Sequence, residues 1–202
     1  SLLKKAVDKR KGMGLDLDSY IKGILKIARG TPVSLEVTET TGEGMIRQGK
    51  ALFTRYNPIA GNVVIKIPVN PAFTSTDKTH FDGLAAIHAL AQENIPVNCT
   101  LIFTPEQALL AAKAGAAFVS PFAGRVDDHL RSSAGLTLDK SAYYPSQGKV
   151  IWDSQGQEKM LHDNGIVSGI DLVGQCVQIL GRHGLKAQVL AASLRNSRQV
   201  RE

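Results

Sequence analysis

The chain has 202 residues, 43% of them hydrophobic and 21% charged, with 19 glycines and 8 prolines. This composition excludes a disordered tail, a collagen-like fibre and a coiled coil, and it suits a globular domain burying roughly 70% of its unfolded surface. The net charge is +6 at pH 7, yet the basic residues are scattered and no aromatic side chains interleave with them, so nucleic acid is not an expected partner.

No apolar run approaches the ~18 residues needed to cross a bilayer, so no membrane partner is expected either. Cys99 and Cys176 are the two cysteines, too few for a disulfide framework or a Cys-rich zinc site, which suits the cytoplasm. Lys4, Lys5, Lys9, Arg10 and Lys11 read as one solvated helix face. The chain starts at Ser1 rather than Met, so a processed or shortened N-terminus is expected.

In chain order, helical spacing first appears over Asp18 to Ala28, with Asp16 or Asp18 as N-cap. A β-branched strand follows at Pro32 to Thr38, then a helix at Glu43 to Tyr56 and a strand at Asn62 to Val69. The next helix spans Asp82 to Gln92 and the next strand Pro96 to Phe103. Thr104-Pro105-Glu106 is a helix start, with Thr as N-cap and Pro at the first helical position, leading into Gln107 to Lys113. A strand at Ala116 to Phe122 precedes a long polar interval, Ala123 to Gly165, read as an extended loop with a small hairpin near Ser146-Gln147-Gly148. A helix over Gly169 to Arg182, stopped by His183-Gly184, and a strand at Gln188 to Ala192 complete the series.

Alternating strands and helices define an α/β protein, read as a single domain over residues 1–202 with a long loop region at 123–165. A doubly wound sheet and a (β/α)8 barrel both fit the rhythm. Against the first, no strand leads into a G-x-G-x-x-G or a P-loop sequence. Against the second, the five strands fall short of eight.

Polar residues inside the strands are the chemical signal. Alternation over Asn62 to Val69 sets Val63, Ile65, Ile67 and Val69 on one face and Val64, Lys66 and Pro68 on the other. Lys66 is thus a mid-strand amine among apolar neighbours, where lost hydration favours the nucleophilic neutral form. A lone strand lysine is more often at a solvated edge. Here, however, Glu36, Asn98, Thr100, Ser120, Arg125, Ser193 and Arg195 also sit in or just after strands, where parallel α/β folds carry their functional groups. The set suits Schiff-base chemistry at Lys66, proton transfer or water positioning by Glu36 and Thr100, and a phosphate grip by Arg125, Arg195 and Ser193.

Other features carry little. The five histidines show no metal-ligand spacing, and Asp127-Asp128-His129 reads as a solvated turn. Asp16-Leu17-Asp18 after Gly14 lacks the other oxygens of a calcium loop. Cys99 points away from Thr100 and reads as packing.

The runs VIKIP at Val64–Pro68, NCTLIF at Asn98–Phe103, SPFAGR at Ser120–Arg125 and AASLRN at Ala191–Asn196 resemble transaldolase in identity, order and spacing. The related fructose-6-phosphate aldolases share the scheme. The resemblance covers nearly the whole chain and is weakest over 123–165. It implies a (β/α)8 TIM barrel of the class I aldolase type acting in the pentose phosphate pathway, with no metal and no organic cofactor. Its partners would be sugar phosphates, and a homo-oligomer remains open.

By the same resemblance Lys66 is the Schiff-base lysine, Glu36 and Thr100 the proton-transfer and water-positioning pair, and Asn98 and Ser120 the hydroxyl binders. Arg125, Ser193 and Arg195 match the phosphate positions. Glu36 and Phe122 favour the transaldolase branch, since the aldolases tend to carry Gln and Tyr at these places. The family begins with a strand bearing an acid/base Asp and a second ending in T-T-N-P-S. This chain opens on Ser1-Leu2-Leu3, similar to the residues after that Asn-Pro, and Arg198-Gln199-Val200 is similar to the helix before a final strand. The expected fold is therefore a barrel represented without its first two strands and its last, from a longer protein. A fructose-6-phosphate aldolase-type lyase and a truncated, non-catalytic sugar-phosphate-binding scaffold are the alternatives.

Overall fold

The computed structural model describes residues 16–137 and 139–202, so the basic face read at Lys4 to Lys11, the Ser1-Leu2-Leu3 opening and Gly14 lie outside the described residues. These residues fall into two units. One runs to Asn98 and includes Ala114–Ala116; the other holds Cys99–Lys113 and Ala117–Glu202.

In the first unit, helix α1 (Leu17–Ile27) starts where the Asp16 carboxylate accepts from the Ser19 backbone N–H at 3.0 Å. Of the two N-cap options, Asp16 is the one used. Asp18, inside the helix, instead binds Lys22 at 2.7 Å, Arg55 at 2.7 Å and the Tyr56 hydroxyl at 2.9 Å. Strand β1 (Val33–Glu36) leads to helix α2 (Gly42–Ala60), capped by Thr41 and closed by Gly61 in the left-handed conformation at φ 66°. The sequence reading stopped this helix at Tyr56, before Pro58. Pro58 has no N–H to donate to the Thr54 carbonyl, yet the helix runs on past it to its glycine stop.

Strand β2 (Val63–Pro68) pairs parallel with β1, setting Glu36 level with Lys66. Helix α3 (Asp82–Gln92) then returns over β2 to strand β3 (Val97–Ile102). Here Gly83 is required by packing. A Cβ at that position would meet the Pro68 carbonyl oxygen at 2.0 Å and that of Val69 at 2.5 Å. Leu25, Met45, Ile65, Ile67, Ile87 and Leu90 form the core of this unit, each with no exposed surface.

Strand β3 continues into the second unit at Cys99. Helix α4 (Pro105–Lys113) follows, its Gln107 N–H donating to the Thr104 hydroxyl at 3.3 Å as the sequence predicts. Strand β4 (Phe118–Pro121) pairs parallel with β7 (Gln188–Val189). The predicted strand to Ala192 survives as separate contacts, with Leu190 N–H donating to the Val119 carbonyl and Ala192 N–H to that of Pro121, both at 2.8 Å. Strand and helix thus alternate through both units, and the α/β class holds.

The polar interval is the main correction. Residues Ala123–Ser133 form helix α5, and an antiparallel hairpin, β5 (Val150–Trp152) with β6 (Glu158–Met160), stands further on. Ser146-Gln147-Gly148 is only a turn, and the hairpin reverses over 153–157 with the Asp153 carboxylate accepting from the Gln155 and Gln157 N–H groups. Helix α5 escaped detection because its inward face includes Gly124, Asp127 and Arg131 beside Val126 and Leu130, which obscures the apolar period. Arg131 donates to the carbonyls of Asp139 and Ala142 at 2.8 Å each and lies over the Tyr144 ring, tying the following segment to the helix. Helix α6 (Gly169–Arg182), with the predicted bounds, and the short α7 (Ser197–Arg201) complete the unit. No helix among the described residues is long and apolar enough to cross a membrane.

Candidate active site

The first unit presents Glu36, Lys66 and Asn98. Lys66 lies between Ile65 and Ile67, both fully buried, and its own side chain is 23% exposed. Its Nζ is 4.0 Å from the Glu36 carboxylate across the β1–β2 pair. Side chains two apart on a strand share a face, so Ser34 stands beside Glu36. The Asn98 amide donates to the Ser34 hydroxyl at 3.0 Å. One strand face of this unit therefore holds an amine, a carboxylate, a carboxamide and a hydroxyl, which is a set able to move protons and bind sugar hydroxyls.

In the second unit Thr100 and Cys99 are both fully buried. Burial drives the Cys99 thiol far above the usual thiol range, as expected of packing. Cys176 is pushed up to about 12 by burial and the nearby Glu106. The Thr100 hydroxyl has no hydrogen-bond partner among the described residues. The next residue, Leu101, has φ 59° inside the strand, a left-handed backbone that is uncommon without glycine.

Ser120 is buried at the end of β4. The Phe122 ring packs edge-on against Phe103, with centroids 6.0 Å apart, and carries the Arg125 guanidinium 5.0 Å above it. Arg125 projects from α5 into a cavity of about 280 Å³. Ser193 adopts φ 61°, and its carbonyl accepts from the Gly124 N–H at 3.1 Å. A Cβ on Gly124 would meet that carbonyl oxygen at 2.2 Å and Arg195 Nε at 2.6 Å. The SPFAGR and AASLRN runs are thus packed together through this glycine.

Comparisons with known proteins bear on these residues. The transaldolase/fructose-6-phosphate aldolase profile matches residues 16–202. The chain belongs to the transaldolase/fructose-6-phosphate aldolase family. A probable transaldolase of Exiguobacterium sibiricum is 37% identical over 183 residues, covering 91% of this chain and 62% of that protein. A probable transaldolase of Halalkalibacterium halodurans is 34% identical over 189 residues, covering 94% and 65%. One from Methanococcus maripaludis is 36% identical over all 202 residues, or 67% of its own length. The chain thus spans less than two thirds of the length of both bacterial relatives.

In this family member, the sequence reading missed the residues that hold Arg195. Asp127 and Asp128 are not a solvated turn. Asp128 is three-quarters or more buried and accepts from Arg195 Nη2 at 2.8 Å. Asp127 is 3% exposed and accepts from the Gly169 N–H and from Gln199 Nε2, each at 2.7 Å. Gln199 in turn accepts from the Arg195 N–H at 2.7 Å. Burial raises the Asp127 carboxyl above the usual Asp value despite those bonds. The only advance signal was the i, i+1 acid pair two residues after Arg125, which fits a charged surface equally well. His129 faces the Arg125 cavity, where its Nε2 is 3.8 Å from Asp163.

Proposed function

We propose that the protein acts as a transaldolase, moving a dihydroxyacetone unit from a ketose phosphate to an aldose phosphate. The cross-strand pair of Lys66 and Glu36, at 4.0 Å in a largely apolar strand, carries this reading. The neutral Lys66 amine attacks the ketone carbonyl, and the carbinolamine loses water to give an iminium. Removal of the proton from the C4 hydroxyl lets the C3–C4 bond break. Its electron pair enters the iminium, forming an enamine, and an aldose phosphate leaves. The enamine then adds to the carbonyl of the acceptor, and water releases the product from the lysine. The iminium is its own electron sink, so the scheme requires no metal or organic cofactor.

Glu36 handles protons beside the amine, and Thr100, a buried hydroxyl with no partner among the described residues, suits a water-positioning role. Asn98 and Ser120 bind substrate hydroxyls, and Phe122 is a further substrate-binding residue. Arg125, Ser193 and Arg195 bind the phosphate, which orients the reacting carbon from a distance. The reaction belongs to sugar-phosphate exchange in the pentose phosphate pathway of the cytoplasm.

The test is borohydride reduction of the chain in the presence of fructose 6-phosphate, followed by intact mass and peptide mapping. A reduced adduct on the Lys66 peptide is expected. No adduct, or an adduct that persists in Lys66→Met, overturns the proposal. Since the family also includes aldolases, turnover is followed with and without erythrose 4-phosphate, and turnover that does not need this acceptor would assign the lyase activity instead.

A further inference from the structure

Helix α5 carries more than Arg125 on its exposed side. Arg125 and His129 are four residues apart, so they stand one turn above another on the same face. Both line the cavity of about 280 Å³, whose other walls are Phe103, Val126, Asp163 and Ile166. Arg125 is held over Phe122. Asp163 reaches the cavity from the segment before α6, where a tight turn fixes it: Asp163 N–H donates to the Ile166 carbonyl at 3.0 Å and Ile166 N–H returns the bond at 2.9 Å. The gap of 3.8 Å between His129 Nε2 and the Asp163 carboxylate is too long for a direct hydrogen bond. The imidazole therefore faces the acid without being committed to it.

We propose that His129 is a further phosphate contact beside Arg125, and that Asp163 competes with the phosphate for it. This rests on the reading of Arg125 as a phosphate-binding residue. A guanidinium and an imidazole on one helix face supply N–H donors to a single volume the size of a small ligand pocket. The apolar walls of Phe103, Val126 and Ile166 reduce the screening of that charge. The carboxylate opposite works against a dianion entering the same space. The segment between α5 and α6 thus sets how tightly a phosphate monoester is held.

The experiment is calorimetric titration of the full chain with inorganic phosphate and with fructose 6-phosphate, using fructose as the uncharged control. The variants are Arg125→Ala, His129→Ala, His129→Gln, Asp163→Asn and the His129→Ala/Asp163→Asn pair. His129 and Asp163 side chains are 63% and 52% exposed, so these substitutions leave the core intact. Arg125→Ala should weaken phosphate binding about tenfold and His129→Ala about fivefold, with His129→Gln in between wild type and alanine because it keeps an N–H donor. Asp163→Asn should tighten it about threefold, and that gain should vanish in the pair. If Arg125→Ala weakens binding while His129→Ala does not, the inference fails and the Arg125 reading stands. If Arg125→Ala has no effect, both fail. Weaker binding in Asp163→Asn, or an unchanged gain in the pair, overturns the competition.

Discussion

The two units hold their chemical groups by different means. In the first, Glu36, Lys66 and Asn98 stand on regular strands, and the register of β1 against β2 alone sets the carboxylate level with the amine. In the second, Arg125, Ser193 and Arg195 stand at a helix start and in the loop after β7, where no ladder fixes them. Their positions come from Gly124 packed on the Ser193 carbonyl, from the Asp128–Arg195 ion pair and from the Asp127–Gln199–Arg195 chain. Backbone periodicity is enough to place the amine, whereas placing the Arg195 guanidinium takes side chains from two helices, Asp127 and Asp128 from one and Gln199 from the other.

The sharpest break of this comparison is Lys66→Met. It should abolish borohydride trapping and lower any transaldolase turnover by roughly 10⁴-fold, while phosphate titration of the Arg125 cavity stays within about twofold of wild type. A matching loss of phosphate binding would show that the two functions are not separable.

Next in size are the close glycines, one in each unit. Gly83→Ala drives a methyl into the Pro68 and Val69 carbonyls and Gly124→Ala drives one into Ser193 and Arg195. Each should cost about 3 kcal/mol in urea melts. Only Gly124→Ala should also weaken phosphate binding, and equal effects of the two on binding would show that the Gly124 contact does not set it.

Acid should affect the units in opposite senses. Lys22, Tyr56 and Arg55 hold Asp18 at about 2, below its unfolded value, so the stability from these contacts is complete above about pH 4. It is lost as pH falls through the unfolded value toward 2. Asp127 is raised by burial, so the folded state binds its proton more tightly than the unfolded chain. Its contribution therefore favours folding on the acid side and declines as pH rises through the folded value. Carboxyl-carbon NMR titration measures both, and an Asp127 midpoint below that of a model aspartate would contradict the assignment.

The smallest expected effect is at Ser34→Ala, which removes the acceptor of the Asn98 amide. A loss of about 1 kcal/mol together with a raised KM for the ketose is expected. A change in stability alone would confine Asn98 to a structural part.

The same contrast explains what the sequence made legible. The strand around Lys66 could be read because alternation on a buried strand is a two-residue rule, and Val63, Ile65 and Ile67 obey it. Gly169 to Arg182 could be read to the residue because its His183-Gly184 stop is local, and Asp82 to Gln92 because its apolar period is, with Ala86, Ile87 and Leu90 buried. Helix α5 could not be. Its inward positions are occupied by Asp127 and Arg131, whose burial depends on partners 72 and 11 residues away. Asp128 likewise looks like a surface charge until Arg195, 67 positions later, lies against it.

For anyone wishing to change what the cavity beside α5 accepts, the helix comes already sorted. Positions 125 and 129 are exposed and line the cavity, whereas 124, 127 and 131 are wired into backbone or buried partners. A saturation library confined to the outward pair should yield mostly folded variants, and one that includes the inward trio should yield few. Evolution would have met the same asymmetry, free to change what this helix grips while bound to keep the helix where it is.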